Sequence, residues 1–568
     1  MSSANLLHPK RDYSATVPVE IWHILSEPSY HYRYYNRYSL STSDYASLSV
    51  TCTLFHAIFQ KAVFASVRHN VSFHLRQPNQ VHEEQRADLL RYTFSERMFR
   101  LSRPPSSALN LVQEYTLRGL NGTRFLPRWP TEEERTHYEV MLTRLGRALG
   151  GFTALKEVHL YSVNICEEML TGLGGLASLQ CVSSVRTCLS RLFFPTYSLI
   201  VTEELSFDAG DYEMSLASLP LFRMFSNKKL RRLTIINSYS ANLSLFLTPF
   251  TEQGPSVHLQ EFDFAFTGSW DLPALVPFLL GCPSLEDLLL NVPDNANSVE
   301  HMEASMTPAV LDMFGHTFSS TALPRLRKYK GPTALVTFLV PRRPVSVVEL
   351  CSTAWTEDDW EELGVPTLDA ISRSTASIET LSLPVLPARS EVLYQIFGRF
   401  PALRRLKLTL DDDNIVSIDD ENAAIGADVT VQTNDLGNPL SSPDSFKGIM
   451  ERLALDIIKL PPLIESLSIN DSAGPEFLDD YDSDAELIGE REYPARTCMT
   501  RPALRHVVSE LAKRYPSLKH ISLGYPELRW TLDEDGQFVL HPQGVWDLFE
   551  PESEDEAEDE ASGDENLG

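Results

Sequence analysis

The 568-residue sequence predicts an α/β protein built mainly from short strand–helix repeats, with a small helical segment before them and an acidic segment after them. Three observations predict this organisation. A six-residue apolar phrase recurs between residues 155 and 523, and residues 15–67 instead show the spacing of amphipathic helices. Residues 550–565 hold ten acidic residues and no basic one.

Composition narrows the class of protein. The apolar and charged fractions, 43% and 22%, are those of a chain that can bury a core. A formal net charge of −28 argues against general affinity for nucleic acid or anionic lipid, because both need a basic surface. We therefore expect neither as a partner.

The lack of a recognisable targeting signal and the cysteine pattern predict a location in the cytoplasm or nucleus. No apolar run is long enough to span a membrane, and the N-terminus lacks the core of a signal peptide. The seven cysteines are scattered without a C-x-x-C pair, which favours neither a disulfide framework nor a zinc site.

After a flexible N-terminus at residues 1–14, the first helix is predicted at "VPVEIWHIL", residues 17–25. Pro18 suits the first position of a helix because its φ angle is already helical. Ile21 and Leu25 share one apolar face at helical spacing.

The second predicted helix begins in "DYASLSVTCTLFHAIF", residues 44–59, with Asp44 as its N-cap. Its apolar stripe consists of Tyr45, Leu48, Cys52, Phe55 and Phe59. The phrase "AVFASV", residues 62–67, completes the segment, and residues 68–107 are expected to be a helical linker.

These three phrases resemble the F-box, a motif with the pattern Leu-Pro-x-Glu-Ile, Ile-Leu, Asp-Leu-x-x-Leu-Ser-x-Val-Cys-x-x-Phe, and then Leu-Phe or Leu-Trp. The resemblance covers residues 15–67 and implies a small helical domain that binds a Skp-type adaptor. The residues expected at that contact are Pro18, Ile21, Leu25, Leu48, Cys52, Phe55 and Phe64. For each of them, packing inside the small domain is an equally open interpretation.

The recurring phrase has an apolar residue at its first, fourth and sixth positions. Its last three residues alternate as a half-buried strand does, and the first turns the chain into that strand. It occurs as "LKEVHL" at 155, "LRRLTI" at 230, "LQEFDF" at 259, "LEDLLL" at 285, "LRKYKG" at 326, "VSVVEL" at 345, "IETLSL" at 378, "LRRLKL" at 403, "IESLSI" at 464 and "LKHISL" at 518.

The spacing of these phrases leaves room for one returning helix per strand, which predicts an irregular leucine-rich-repeat-like solenoid over residues 108–530. An unrelated α/β fold is the alternative. Acidic insertions are expected near 410–445 and 470–494, as solvated loops or as a docking surface. Residues 531–568 are expected to be an acidic disordered tail.

No group of residues predicts catalysis, a cofactor or a metal. "GLGG" at 172–175 lacks the Lys-Ser/Thr of a phosphate-binding loop, so an ordinary loop is expected. His23, His56, His301 and His316 do not show metal-ligand spacing. "KKLRR" at 228–232 predicts a charged surface, with a localisation signal as the alternative.

The F-box resemblance followed by repeats implies the substrate-recognition subunit of an SCF-type E3 ubiquitin ligase, which contains a Skp adaptor, a cullin and a RING subunit. The F-box would bind the adaptor, and the repeats an unknown protein marked for ubiquitin-dependent degradation. The alternative is a leucine-rich-repeat scaffold whose N-terminal helices only cap the solenoid. An enzyme is not expected, since no residues can be nominated for catalysis.

Overall fold

The structure is a computed structural model. It describes residues 65–70, 110–118, 132–185, 187–189, 199–208, 221–236, 243–292, 296–318, 321–412, 441–472, 499, 501–524, 528–532 and 538–542. The chain divides into two compact units: unit 1 comprises Met1–Ala265 and Pro273–Cys282, and unit 2 comprises Phe266–Leu272 and Pro283–Gly568.

Unit 1 contains a parallel sheet whose strand order is β1-β2-β3-β5-β8-β10-β11. Two short pairs, β4 with β6 and β7 with β9, lie outside that sheet. The strands are β1 Ser66–Asn70, β2 Glu114–Arg118, β3 Glu157–Tyr161, β4 Asn164–Ile165, β5 Cys181–Val185, β6 Cys188–Leu189, β7 Ile200–Val201, β8 Glu204–Asp208, β9 Phe225–Ser226, β10 Arg232–Ile236 and β11 Glu261–Ala265.

Helical segments connect these strands, because parallel neighbours cannot be joined by a tight turn. The described helices of unit 1 are Glu132–Leu149, Glu167–Gly174, Thr248–Glu252 and most of Leu272–Leu280, with a 3₁₀ turn at Leu243–Phe246. Phenylalanines pack strand against helix in its core: the rings of Phe262 on β11 and Phe278 on Leu272–Leu280 lie 4.9 Å apart.

Unit 2 also contains a run of parallel strands, but its last two strands are antiparallel. Its sheet order is β12-β13-β14-β15-β16-β17-β18, all parallel, followed by β19 and β20 in antiparallel pairing. The strands are β12 Asp287–Asn291, β13 Lys328–Pro332, β14 Val347–Cys351, β15 Thr380–Pro387, β16 Arg405–Asp411, β17 Ser466–Asp471, β18 His520–Gly524, β19 Leu528–Leu532 and β20 Phe538–Pro542.

The helices of unit 2 pack beside those strands. They are Ala296–Ser305, Pro308–Thr317, Thr333–Leu339, Glu357–Asp359, Val365–Ser372, Ser390–Arg399, Phe446–Ala454 and Arg501–Arg514, with a 3₁₀ turn at Ser269–Asp271 and a π turn at Trp360–Gly364. The guanidinium of Arg343 is buried among them and donates to the carbonyl oxygens of Ala322 and Phe338, each at 2.7 Å.

The prediction of strand–helix repeats is confirmed in the described residues. All ten phrases lie at strands of the two sheets, and their apolar positions are buried, as Leu403, Leu406 and Leu408 show at 2% exposure or less. Each apolar side chain removed from water contributes about 1.5–3 kcal/mol, so the repeated phrase adds substantially to the stability of the core.

Three repeats were not predicted from the sequence, because each has a residue that is not aliphatic at one of the apolar positions of the phrase. At β2 the phrase is "VQEYTL", in which Tyr115 fills the fourth position. At β8 the first position is Thr202, whose hydroxyl donates to the carbonyl oxygen of Gln180 at 2.6 Å. At β5 the sixth position is Ser184, whose hydroxyl hydrogen-bonds that of Thr187. Polar side chains therefore occupy core positions where a local partner satisfies them.

The expectation of a loop at 172–175 is wrong. Gly172 lies within the helix Glu167–Gly174, and Gly175 is the C-cap of that helix. A Cβ atom at Gly172 would lie 2.5 Å from the carbonyl oxygen of Gly146 in the neighbouring helix. Glycine is needed because the two helix backbones approach closely at this crossing.

Two predicted boundaries also differ from the structure. Residues 66–70, expected at the end of the F-box and in a helical linker, form β1 and pair with β2. Residues 528–542, expected to run into the disordered tail, contain the hairpin strands β19 and β20. In both cases the sheet continues by one or two more strands, which protects an edge that would otherwise expose unpaired backbone groups.

The charged surface predicted at 228–232 is confirmed, since Lys228, Lys229, Arg231 and Arg232 are exposed and Leu230 is buried. Most of the two acidic insertions, residues 413–440 and 473–498, lies outside the described residues. The residues that precede the two insertions, at the ends of β16 and β17, lie close together: the Ser472 hydroxyl donates to Asp411 Oδ1 at 2.5 Å.

Candidate functional site

Buried and partly exposed residues alternate along the strands, which gives each strand a buried face and an open face. In β3, β5, β8 and β12 the second and fourth residues are buried, whereas the first, third and fifth are partly exposed. The buried set contacts the helices, so the open face of each sheet is left for a partner. Protein partners of repeat folds commonly bind such a strand surface.

Backbone hydrogen bonds at the start of the strands fix the register between neighbouring repeats. The carbonyl oxygen of Arg404 accepts from the backbone N–H groups of Glu465 and Ser466, at 2.7 and 2.9 Å. The carbonyl oxygen of Glu379 accepts in the same way from Arg404 and Arg405, at 2.8 and 2.9 Å. Because the register repeats, open-face side chains line up in rows that cross the strands.

The open face of unit 1 is acidic. Its carboxylates are Glu157, Glu204, Asp208, Glu261 and Asp263. Arg232 lies between two of them and forms ion pairs with Glu261 at 2.7 Å and with Glu204 at 3.6 Å. The guanidinium of Arg118 lies 5.1 Å from the ring centroid of Tyr161 on the same face.

The open face of β15–β18 in unit 2 has the opposite character, and we call it the basic strip. Register places its residues in two rows. The first row is Thr380, Arg405, Ser466 and His520; the second is Ser382, Lys407, Ser468 and Ser522. Hydroxyl groups flank Arg405 and Lys407 in these two rows, and neither row contains a carboxylate, whereas Asp411 lies farther along the same face of β16.

Among the described residues, no carboxylate forms an ion pair with the basic side chains of the strip. Within the part of the chain that the structure describes, Arg405, Lys407 and His520 form no ion pair, and all three are exposed. Among the described residues, Arg405 donates to the Thr380 hydroxyl, at 3.1 Å. Glu349, in the row of Lys407 but two strands away, already pairs with Lys328 at 2.9 Å.

Residues just outside the strip are paired among themselves. Arg404 and Glu465 precede their strands and form an ion pair at 2.7 Å. Asp411, at the end of β16, accepts from the Ser472 hydroxyl. The strip is therefore a hydrogen-bond-donating, positively charged surface, which is the chemistry that carboxylates and phosphates prefer.

Cys181 lies on the unit 1 face, where burial, and then the nearby carboxylates of Glu204 and Glu157, raise its pKa to about 12. A thiol with so high a pKa stays protonated at neutral pH and is inert. In the described ranges, no group of three or more His, Cys, Asp or Glu side chains is arranged to hold a metal ion.

The seven residues expected to contact the adaptor, namely Pro18, Ile21, Leu25, Leu48, Cys52, Phe55 and Phe64, lie outside the described residues. The sequence did not single out the basic strip, although the phrase "LRRLKL" contains Arg405 and Lys407. The signal in the sequence lies in the non-apolar positions of successive phrases, which change from acidic to basic along the chain.

None of the helices that the structure describes is both long and apolar enough to cross a membrane. No protein family matches the chain, and no curated protein matches it.

Two solved structures resemble the chain at low identity. The TLR13–ssRNA13 complex is 14% identical, with 55% of this chain and 46% of that chain covered and a TM-score of 0.22. The plant peptide hormone receptor RGFR1 in complex with RGF2 is 12% identical, with 54% and 50% covered and a TM-score of 0.20. The chain spans about half the length of these structures. Similarity at this level carries no argument about function.

Proposed function

We propose that the chain is the substrate-recognition subunit of an SCF-type E3 ubiquitin ligase. In this proposal residues 15–67 bind a Skp-type adaptor, and through it a cullin and a RING subunit. The repeats bind the protein to be ubiquitinated. The chain recruits its partners in the cytoplasm or nucleus and catalyses no reaction itself.

The observation that carries the proposal is the pair of open strand faces. Each presents rows of half-exposed polar and charged side chains over several parallel strands, a surface larger than a small ligand needs. Such a surface suits a protein partner, and its opposite charges in unit 1 and unit 2 would discriminate among partners.

The adaptor half of the proposal rests on the F-box resemblance. A helical domain of about fifty residues buries little surface on its own, so an apolar stripe completed by a partner would stabilise it. Leu48, Cys52 and Phe55 fall on one stripe at the spacing of the F-box pattern.

Co-purification with a Skp-type adaptor tests the proposal. We expect the wild-type chain to retain the adaptor and a Leu48→Asp, Phe55→Asp double variant to lose it, because two buried apolar contacts would become charged. Lys447→Glu, which changes an exposed residue of a unit 2 helix, is the matched control and should retain the adaptor. Equal retention by the double variant and the control would refute the adaptor role.

The scaffold alternative is tested by removing residues 1–64, which leaves β1 and its pairing with β2 in place. If the N-terminal helices only cap the repeats, the shortened chain should unfold at a markedly lower temperature. If they form a separate adaptor-binding domain, the thermal midpoint of the repeats should stay close to that of the full chain.

A further inference from the structure

We propose that the basic strip is a binding site for a carboxylate-rich peptide segment, and that its occupant is the acidic segment 550–565 of the same chain. The strip of β15–β18 presents Arg405, Lys407 and His520 among hydroxyl donors. The segment carries ten carboxylates and no basic residue. This inference goes beyond the proposed ligase role and does not depend on adaptor binding.

Charge complementarity is the first argument. Arg405 and Lys407 lie on one strand, two residues apart, and therefore point to the same side of the sheet. Neither is paired with a carboxylate among the described residues, and both are exposed. The hydroxyls of Ser382, Ser466 and Ser468 flank them and can donate hydrogen bonds to bound carboxylates.

The position of β20 is the second argument. β20 is antiparallel to β19, which is antiparallel to β18, so β20 runs in the same direction as the parallel strands. Its last residue, Pro542, pairs with Leu528 of β19, next to Arg529, which pairs with Ser522. The chain therefore leaves the sheet at the carboxyl edge, close to the level of Lys407 in the strip.

The length of the connection is the third argument. Four steps in the sheet separate β20 from β16, and at about 4.8 Å per step they amount to about 19 Å. Residues 543–549 can span up to about 24 Å when extended. The acidic segment can thus reach Arg405 and Lys407 without any change in the sheet. Its attachment to the same chain also gives it a high effective concentration at the strip.

The consequence is competition for the strip. Any acidic partner of this face would first have to displace the chain's own segment. Occupancy should fall at high salt, because salt screens the attraction between the basic side chains of the strip and the carboxylates that bind them.

Zero-length cross-linking with a carbodiimide tests the proposal on the full chain, because this reagent joins a lysine amine only to a carboxylate in direct contact. We expect Lys407 to be joined to carboxylates of 550–565. Chymotrypsin can release this segment by cleaving after Phe549, and mass spectrometry then identifies the pair. Lys447, which is also exposed but lies on a helix of the same unit, is the reference amine and should give little product.

Arg405→Glu makes the test selective because it leaves the Lys407 amine in place. Reversing this exposed charge should lower the Lys407 cross-link about threefold to tenfold. Lys447→Glu, with the same change of net charge outside the strip, should leave it unchanged. Raising NaCl to about 1 M, where the screening length is about 3 Å, should lower it in the wild-type chain.

Several results would overturn the proposal. One is that Lys407 reacts no more than Lys447, and another is that its product is insensitive to Arg405→Glu. Cross-links from Lys407 to carboxylates within 413–440 or 473–498 would instead make an insertion the occupant. In a mixture of ¹⁵N-labelled and unlabelled chains, pairs of mixed isotope would show that a second molecule provides the segment.

Discussion

Gly172→Ala tests the close crossing of the helices Glu132–Leu149 and Glu167–Gly174 in unit 1. The added Cβ would lie 2.5 Å from the carbonyl oxygen of Gly146 and 3.2 Å from the backbone nitrogen of Gly150. Both are backbone atoms and cannot move aside as a side chain does. The helices must therefore separate, and the packing around the crossing must change with them.

The expected magnitude follows from two opposing effects. Overpacking a close contact costs about 1–3 kcal/mol, and alanine recovers up to about 1 kcal/mol through its better helix propensity. The net loss is about 1–2 kcal/mol, which lowers the thermal midpoint of a unit this large by about 2–8 °C. Thermal unfolding followed by circular dichroism measures it.

Gly175→Ala is the matched control, since its nearest contacts would be 3.6 and 3.7 Å away and its φ angle is −82°. It should unfold within about 0.5 kcal/mol of the wild-type chain. A Gly146→Ala, Gly172→Ala double variant should lose less than the sum of the single losses, because both changes force the same helices apart. If Gly172→Ala is as stable as Gly175→Ala, the reasoning is wrong.

Three other predictions concern polar groups that are buried or partly buried. Burial raises the pKa of the Cys181 thiol to about 12. Iodoacetamide should therefore alkylate Cys181 at pH 8 at least about 100-fold more slowly in the folded than in the unfolded chain, and the rate should still rise above pH 9. Alkylation of the folded chain as fast as that of an exposed thiol would contradict this. Ser517→Ala should cost about 1 kcal/mol in denaturant unfolding, since its hydroxyl donates to the Ile464 carbonyl oxygen at 2.8 Å, whereas Ser468→Ala should cost little. Arg343→Met should cost about 2–4 kcal/mol, because it leaves buried carbonyl oxygens without their donor; an unchanged thermal midpoint would show that water replaces the guanidinium.

The strands were predictable because a buried half-face imposes a period of two, which Leu406 and Leu408 follow in the phrase "LRRLKL", and Leu403 before them is also buried. The strand at β8 was missed because Thr202 satisfies its hydroxyl through the Gln180 carbonyl oxygen, which no composition rule reveals. The helix crossing at Gly172 was missed for a related reason: a short glycine-rich stretch is typical of loops unless a second backbone lies against it.

The basic strip depends on register between strands that are far apart in sequence. Lys407 on β16 aligns with Ser468 on β17 across an acidic insertion, and with Ser382 on β15 across a helix. Single-sequence patterns show which residues alternate, but not which strands become neighbours when insertions vary in length. The charge of a row is therefore a property of the fold.

Isothermal titration calorimetry of the purified full chain with a Skp-type adaptor tests the proposed role as an adaptor-bound receptor. We expect saturable binding of one adaptor per chain, with a Kd weakened at least about tenfold by Leu48→Asp and unchanged by Lys447→Glu. No saturable heat, or the same Kd for Leu48→Asp as for the wild-type chain, would contradict it.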